Sequence, residues 1–341
     1  MIVNKTGTKK FIAIAIFISV ALCACQRAAE WRQARGAAWG TTYSITYKGD
    51  KDLGDSVVAA MRQVERELSM FDPQSTVSRI NANRTDTVTA VFRHVFNAAK
   101  RVAAVSGGAF DPTVAPLVDV WGFGRDKRVG DTAPDSAAID SVLASVGIAD
   151  CSIDAAGLLT RKAPGAQFDF SAIAKGYGVD CVAAMLERNG CSDYMVEIGG
   201  EVSARGLNPR GQTWRVQVDD PVASGRDGHV RLTVVALDNT ALATSGNYRN
   251  YRTLADGTRV SHTLSAATGR PVRTALLSVS VLAPTCMMAD ALATACMAMA
   301  ADSAVAMMRR LPDASALFVI GEPGGGTRQV MTGTFARARV H

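Results

Sequence analysis

Apolar residues recur at helical spacing in the first half of the chain and largely alternate with polar ones in the second. Val57, Met61, Val64 and Leu68 share one helical face, as do Val91, Val95, Ala99 and Val102. A third helical pattern covers Lys175 to Arg188 and stops at Asn189-Gly190. Thr42 to Tyr47 alternates, with Tyr43, Ile45 and Tyr47 on one side, which predicts a strand. Further strands are expected at Tyr194–Ile198, Trp214–Val218, Val230–Leu237 and Leu276–Leu282. Helices at Cys286–Met299 and Ser303–Leu311 precede a late strand at Ala316–Ile320. Helices first and antiparallel-looking strands afterwards predict an α+β fold, with packed helices and antiparallel sheets. Arg125 to Asp135, polar and carrying Gly130 and Pro134, reads as a surface loop. No GxGxxG follows a strand and no P-loop is present, so a dinucleotide or P-loop site is not indicated.

The N-terminus departs from this pattern. Lys5, Lys9 and Lys10 precede an apolar run from Phe11 to Leu22, too short to span a bilayer comfortably. The run ends in Leu22-Cys23-Ala24-Cys25, which resembles a bacterial lipobox with Cys25 as the lipidated residue. An ordinary signal peptide cut nearby is the alternative, and either one places the mature protein outside the cytoplasm. Residues 1–25 are therefore expected to be a signal, 26–36 a polar tether, and 37–341 the functional domain. The expected location is a bacterial membrane, at the periplasmic face of the inner membrane. Removing the signal removes three lysines and no acids, so the formal charge falls from +6 to +3. No basic run is interleaved with aromatics, and nucleic acid is not an expected partner. Cys151, Cys181, Cys191, Cys286 and Cys296 remain, without CxxC or CxxH spacing. They read as core residues, with a Cys181–Cys191 bridge as the one pairing considered.

Candidate chemistry concentrates where polar residues interrupt apolar patterns. Asp290 and Thr294 stand at i and i+4 in an alanine-rich apolar helix and share a face. Two oxygen ligands on one face suit a hard cation; helix capping and back-bonding are the alternative. His262, one of four histidines, stands shortly before this helix. Trp39-Gly40-Thr41-Thr42-Tyr43 enters a strand. Leu68-Ser69-Met70-Phe71-Asp72-Pro73 leads to Ser78 and Asn81, where hydroxyls and amides cap helices or bind ligands. Gly107-Gly108-Ala109-Phe110-Asp111-Pro112-Thr113, running on to Gly124, is an elaborate loop of the kind that serves a site. Phe168-Asp169-Phe170-Ser171-Ala172-Ile173-Ala174-Lys175 carries Asp169 into a helix start, whose amides favour anions. In Val196-Glu197-Ile198-Gly199-Gly200-Glu201 the glycines allow a bulge at a strand end.

Taken in order, these segments resemble the ApbE family of flavin transferases. The resemblance adds Ala243-Thr244-Ser245-Gly246-Asn247-Tyr248-Arg249, Ser261-His262 with Thr268-Gly269-Arg270-Pro271, and Ala289-Asp290 with Thr294. It implies an ApbE-like fold and FMN transfer from FAD to a threonine of a partner protein, with release of AMP. It places FAD against Trp39, Phe71, Ala109, Phe110, Asp111, Asp169, Lys175 and Leu264. It assigns Mg²⁺ to the Ala172 carbonyl and the side chains of Asp290 and Thr294. His262 is the candidate base, and a membrane redox subunit the expected acceptor. Ser265-Ala266-Ala267 departs from the family's usual Asp-Pro and polar residue. With water as acceptor the same site would act as an FAD pyrophosphatase; without chemistry the chain would be an exported flavin-binding lipoprotein.

Overall fold

The computed structural model describes residues 29–124, 132–224, 228–246, 251–257 and 259–340. The signal segment with Cys25, Asn247-Tyr248-Arg249 and residues 125–131 of the polar loop lie outside the described residues.

Strands β1 (Glu30–Ala38) and β2 (Thr41–Gly49) form an antiparallel hairpin closed by Trp39-Gly40. Both turn residues have positive φ, +53° and +75°, the geometry that matches strand twist in a two-residue hairpin. β1 corrects the expected tether, because the chain is already a strand from Glu30. An edge strand pairs through its backbone and tolerates polar side chains, so hydrophobic alternation does not announce it.

A short hairpin joins β3 (Ser152–Ile153) to β4 (Leu159–Thr160). The longer strands are β5 (Tyr194–Ile198), β6 (Glu201–Arg205), β7 (Trp214–Asp219), β8 (Arg231–Leu237) and β9 (Thr240–Gly246). Then come β10 (Tyr251–Thr253), β11 (Arg259–Ser261), β12 (Leu276–Ala283), β13 (Ser315–Gly321), β14 (Thr327–Met331) and β15 (Arg339–Val340). Among the described residues the main sheet has eight strands in the order β1-β2-β5-β6-β9-β12-β13-β14. Its pairings are antiparallel throughout, as an α+β fold requires. A three-stranded sheet, β15-β8-β7, covers one face. Trp214, Val235 and Leu237 there meet Val202, Leu242, Leu282 and Leu317 of the main sheet.

The helices are α1 (Gly54–Leu68), α2 (Thr76–Asn81), α3 (Ala90–Val105), α4 (Ala115–Val120), α5 (Ser136–Leu143) and α6 (Ser171–Arg188). They continue with α7 (Cys286–Met297), α8 (Ala301–Arg309) and α9 (Phe335–Ala338). α1 buries the four residues its periodicity picks out. α3 buries Phe92, Val95, Phe96, Ala99 and Val102, with Val91 at the margin of that face. Phe92, Phe96, Phe168 and Phe170 form an edge-and-stack cluster between α3 and the start of α6. α7 is buried on nearly all sides, which explains its uniform apolarity. The five cysteines are free thiols, so the Cys181–Cys191 bridge does not form. No described helix is long and apolar enough to cross a membrane.

α6 and α7 cross at van der Waals distance of their backbones. A Cβ added to Gly176 would lie 2.3 Å from the Cys286 carbonyl oxygen and 2.8 Å from Asp290 Cβ. Two residues on, Gly178 makes room for the Trp39 ring, where an added Cβ would come within 2.3 Å. One turn after Gly176, the Asp180 carboxylate accepts hydrogen bonds from Cys286 N–H at 2.8 Å and Met287 N–H at 2.9 Å. Thr285 completes the cap by accepting from Met288 N–H at 3.3 Å. Burial pushes the Asp180 carboxyl up to about 6, against the opposing effect of these two amides.

Gly176→Ala is expected to destabilise the protein by about 3 kcal/mol, the upper end for overpacking, because a carbonyl cannot swing away as a side-chain tip can. Denaturant unfolding checks this. Asp180 also gives stability a pH dependence. Folded, it keeps its proton up to about pH 6; an unfolded aspartate releases it near pH ~4. The folded state binds more protons in between, so this contribution falls as pH rises through that window, by about 2 kcal/mol. Unfolding midpoints of wild type and Asp180→Asn between pH 4 and 7 measure it; the variant should lack that part of the slope.

Candidate active site

The cleft is built by fixing one short extended stretch against the helix face of the sheet. Phe168 and Phe170 are buried in the aromatic cluster, so Asp169 between them turns to the cleft. Asn81, at the end of α2, clamps this stretch: its Nδ2 donates to Phe168 O and its Oδ1 accepts from Phe168 N–H, both at 2.8 Å. Asn81 is held in turn by a capped turn in which Ser75 Oγ accepts from Ser78 N–H at 3.0 Å. The turn at Ser75–Ser78 thereby supports the Phe168–Phe170 stretch.

Asp169 Oδ1 accepts from Ser171 N–H at 2.8 Å and starts α6. Its own N–H donates to Pro112 O at 2.7 Å, which ties the Gly107–Pro112 loop beside it. In that loop Asp111 accepts from Thr113 N–H and Oγ1–H through Oδ1, at 2.8 and 2.6 Å, and from Ile148 N–H through Oδ2, at 2.9 Å. Asp111 borders the cleft, yet its carboxylate shapes the loop.

The charged centre lies where α6, α7, β6 and β9 meet. Ile198 pairs with Glu201 across the Gly199-Gly200 turn, so Glu201 points to the helix face beneath α6. Lys175 Nζ lies 2.6 Å from Glu201 Oε2. Glu201 is 3% exposed, and among the described residues no hydrogen-bond donor besides the Lys175 ammonium meets this buried oxygen. Asp290 is equally buried, and its Oδ2 accepts from Gly176 N–H at 3.0 Å. In a regular helix that N–H serves the Ala172 carbonyl, so Asp290 and the Ala172 oxygen converge on one donor. Thr294, one turn along α7, lies 3.3 Å from Ser245 on β9 through their hydroxyl oxygens. Ala241, Ala243 and Ser245 alternate on this face of β9, and such small residues let α7 come close.

With both carboxyl groups ionised, two carboxylates around one ammonium would carry a net negative charge, a state that burial opposes. Burial pushes the Glu201 carboxyl up to about 7, opposed by Lys175 and reinforced by Asp290. Burial also raises Asp290, against Lys175 and the Gly176 amide. For Lys175, burial works against the ammonium, but Asp290 and Glu201 outweigh it and hold its pKa above the ordinary value. A cation placed here would relieve the excess charge. Among the described residues no three His, Cys, Asp or Glu side chains cluster at metal distance. A cation would have to combine Asp290 with neutral oxygens. Ala172 and Thr294 line the same cleft, and a carbonyl and a hydroxyl beside Asp290 would make a donor set that fits a hard ion.

The cleft encloses about 880 Å³, and Ala109, Phe110, Asp111, Asp169, Ala172 and Lys175 line it. So do His262, Leu264, Asp290 and Thr294. His262 is exposed on the rim. Leu264 is anchored with Val260 in a satellite core of Leu117, Trp121 and Ile139. The Ser265-Ala266-Ala267 departure is compensated locally. Ser265 Oγ accepts from Thr268 N–H at 3.2 Å, the bond an Asp makes in such a turn, and Trp121 Nε1–H donates to Gly269 O at 2.7 Å.

Trp39 and Phe71 are the exceptions, since neither lines the cleft. The Trp39 ring packs on Gly178, and Phe71 stands 68% exposed at the end of α1. Residue type suggested an aromatic wall; the Trp39 ring is taken up by packing on Gly178, and the Phe71 ring stands open to solvent. Glu201 is not among the residues the resemblance assigns to the site; its signal in the sequence is an acid directly after Gly199-Gly200.

A family model for the ApbE family matches residues 39–318. The FAD:protein FMN transferase of Vibrio cholerae is 35% identical over 303 residues, covering 86% of this chain and 89% of its own length. That of Haemophilus influenzae is 35% identical over 313 residues, covering 87% and 89%. The solved flavin transferase ApbE from Vibrio cholerae superposes with a TM-score of 0.81 at 32% identity, covering 91% of this chain and 99% of that one. The apo flavinyl transferase ApbE of Pseudomonas stutzeri gives 0.79 at 33%, covering 91% and 97%. Eight motifs in order, the same fold and near-complete coverage agree: the chain belongs to the ApbE family.

Proposed function

We propose that this chain transfers FMN from FAD to a threonine hydroxyl of an acceptor protein and releases AMP. The observation that carries this reading is the convergence of Lys175, Glu201, Asp290, Thr294 and the Ala172 carbonyl in one large cleft. The names of the relatives, FAD:protein FMN transferase, give the substrate pair. FAD lies along Ala109, Phe110, Asp111, Asp169, Lys175 and Leu264, with its pyrophosphate toward Lys175. Phe71, exposed beyond the end of α1, offers FAD an open aromatic face, and Trp39 stands at the hairpin turn packed on Gly178.

The Ala172 carbonyl, Asp290 and Thr294 would hold Mg²⁺, which when bound would supply positive charge against the phosphate oxygens. Lys175 adds a second cation there. The threonine oxygen attacks the phosphorus on the riboflavin side. A new phosphodiester P–O bond forms, the pyrophosphate P–O bond breaks, and AMP leaves with the bonding pair. His262, on the open rim, takes the hydroxyl proton. Its exposure suits a base that must meet a hydroxyl brought by another protein.

The N-terminal pattern supports an exported protein anchored through lipidated Cys25 at the periplasmic face of the inner membrane. An acceptor there would be a membrane redox subunit.

The full chain, purified in detergent, is mixed with FAD, Mg²⁺ and a candidate acceptor. Covalent flavin fluorescence on a denaturing gel with stoichiometric AMP is the expected outcome. AMP and free FMN with no labelled acceptor, across a panel of acceptors, would replace transfer by FAD hydrolysis. Asp290→Ala should fold but lose activity by more than about 100-fold, beyond what outer-shell changes cost. Wild-type turnover by this variant would overturn the cation assignment.

A further inference from the structure

The carboxylate of Asp180 takes the first two amides of α7, Cys286 N–H at 2.8 Å and Met287 N–H at 2.9 Å. A helix leaves these amides without internal partners. Cys286 and Met287 are both buried, so water does not replace a lost acceptor freely. In the opposite sense, Gly176 N–H of α6 donates to Asp290 Oδ2 of α7 at 3.0 Å. Gly176 and Asp180 are one turn apart on α6; Cys286 and Asp290 are one turn apart on α7. One contact between two helices leaves each free to rotate about it. Two, separated by a turn and opposite in sense, set both axial register and rotation. That register decides where Asp290 and Thr294 stand relative to the Ala172 carbonyl.

We propose that Asp180 is a positioning residue for the cation site, acting through the first turn of α7 without touching cation or substrate. This rests on the reading that Asp290 and Thr294 bind the cation. Asp180 borders a separate pocket of about 360 Å³ between α1, α3 and α6, lined also by Tyr177, Cys181 and Arg188. Its place is therefore behind α6, away from the cleft.

The test titrates Mn²⁺ into the full chain without FAD and follows free Mn²⁺ by electron paramagnetic resonance. Wild type is compared with Asp180→Asn, Asp290→Ala and Val57→Ala. Val57 is a fully buried core residue of α1 outside the cleft, and its truncation controls for loss of stability alone. Asp180→Asn should weaken Mn²⁺ binding about tenfold, as loss of an outer-shell partner does. In turnover it should raise the KM for Mg²⁺ while kcat at saturating Mg²⁺ stays within about twofold, since the charge at the reacting phosphorus is unchanged once the ion is bound. Val57→Ala should bind Mn²⁺ as wild type does despite a lower unfolding midpoint. Should Asp180→Asn fail to fold, Asp180→Glu, which keeps the charge but lengthens the arm, takes its place with the same expected direction. Wild-type Mn²⁺ affinity in a folded Asp180 variant, with binding lost in Asp290→Ala, would overturn the positioning role alone. Equal weakening in Val57→Ala would reduce the effect to stability. Wild-type binding by Asp290→Ala would remove the cation assignment and this inference with it.

Discussion

The contact between α6 and α7 at Gly176 is the constraint on which the site depends. A hydrogen atom in place of a side chain lets the Cys286 carbonyl approach α6 closely. The same approach brings Asp290 onto the Gly176 amide. Burying a carboxylate in an alanine-rich helix is costly unless it is paired and hydrogen-bonded. Asp290 meets that condition through one amide and the nearby Lys175 ammonium. Small residues on β9 and α7 extend the close packing to the sheet, so the chemistry hangs on a seam of glycine and alanine.

Around that seam the charges are uneven by design of the packing. Lys175 answers Glu201 at contact distance and Asp290 at longer range, and neither carboxylate is fully compensated. A water-filled surface would screen such an imbalance; burial instead pushes both carboxyl groups toward their neutral forms. A cation beside these carboxyl groups would favour their ionised forms, and the Lys175 ammonium stands at the same wall.

Where one side of an element decides its fate, the residues announce it. Val57, Met61, Val64 and Leu68 mark the buried face of α1, and Phe168 and Phe170 mark Asp169 as the residue turned outward. Asp290 and Thr294 are adjacent on α7 because four residues make a turn. β1 escapes notice because an edge strand needs no apolar face. β9 escapes it because Ala241, Ala243 and Ser245 are small to admit α7, and small residues carry a weak strand signal. The Lys175–Glu201 pair joins segments that meet only through sheet order. Trp39 shows that an aromatic beside a motif says nothing about direction. In a left-handed turn residue, Trp39 is aimed by its backbone onto Gly178.

The strand order has a consequence for how activity relates to the act of folding. β2 waits for β5, β6 waits for β9, and β9 is flanked by β12, so strands distant along the chain must close before their neighbours are in place. Closures of this kind are slow because loop entropy is lost before contacts form. The catalytic cleft draws on residues from Thr41 to Ala298. A nascent or partly folded chain lacking α7 can therefore own stable hairpins and helices and still be chemically silent. An assembled cleft requires α7 to be seated against α6 and β9, so chemistry in this protein depends on a closure between segments far apart along the chain.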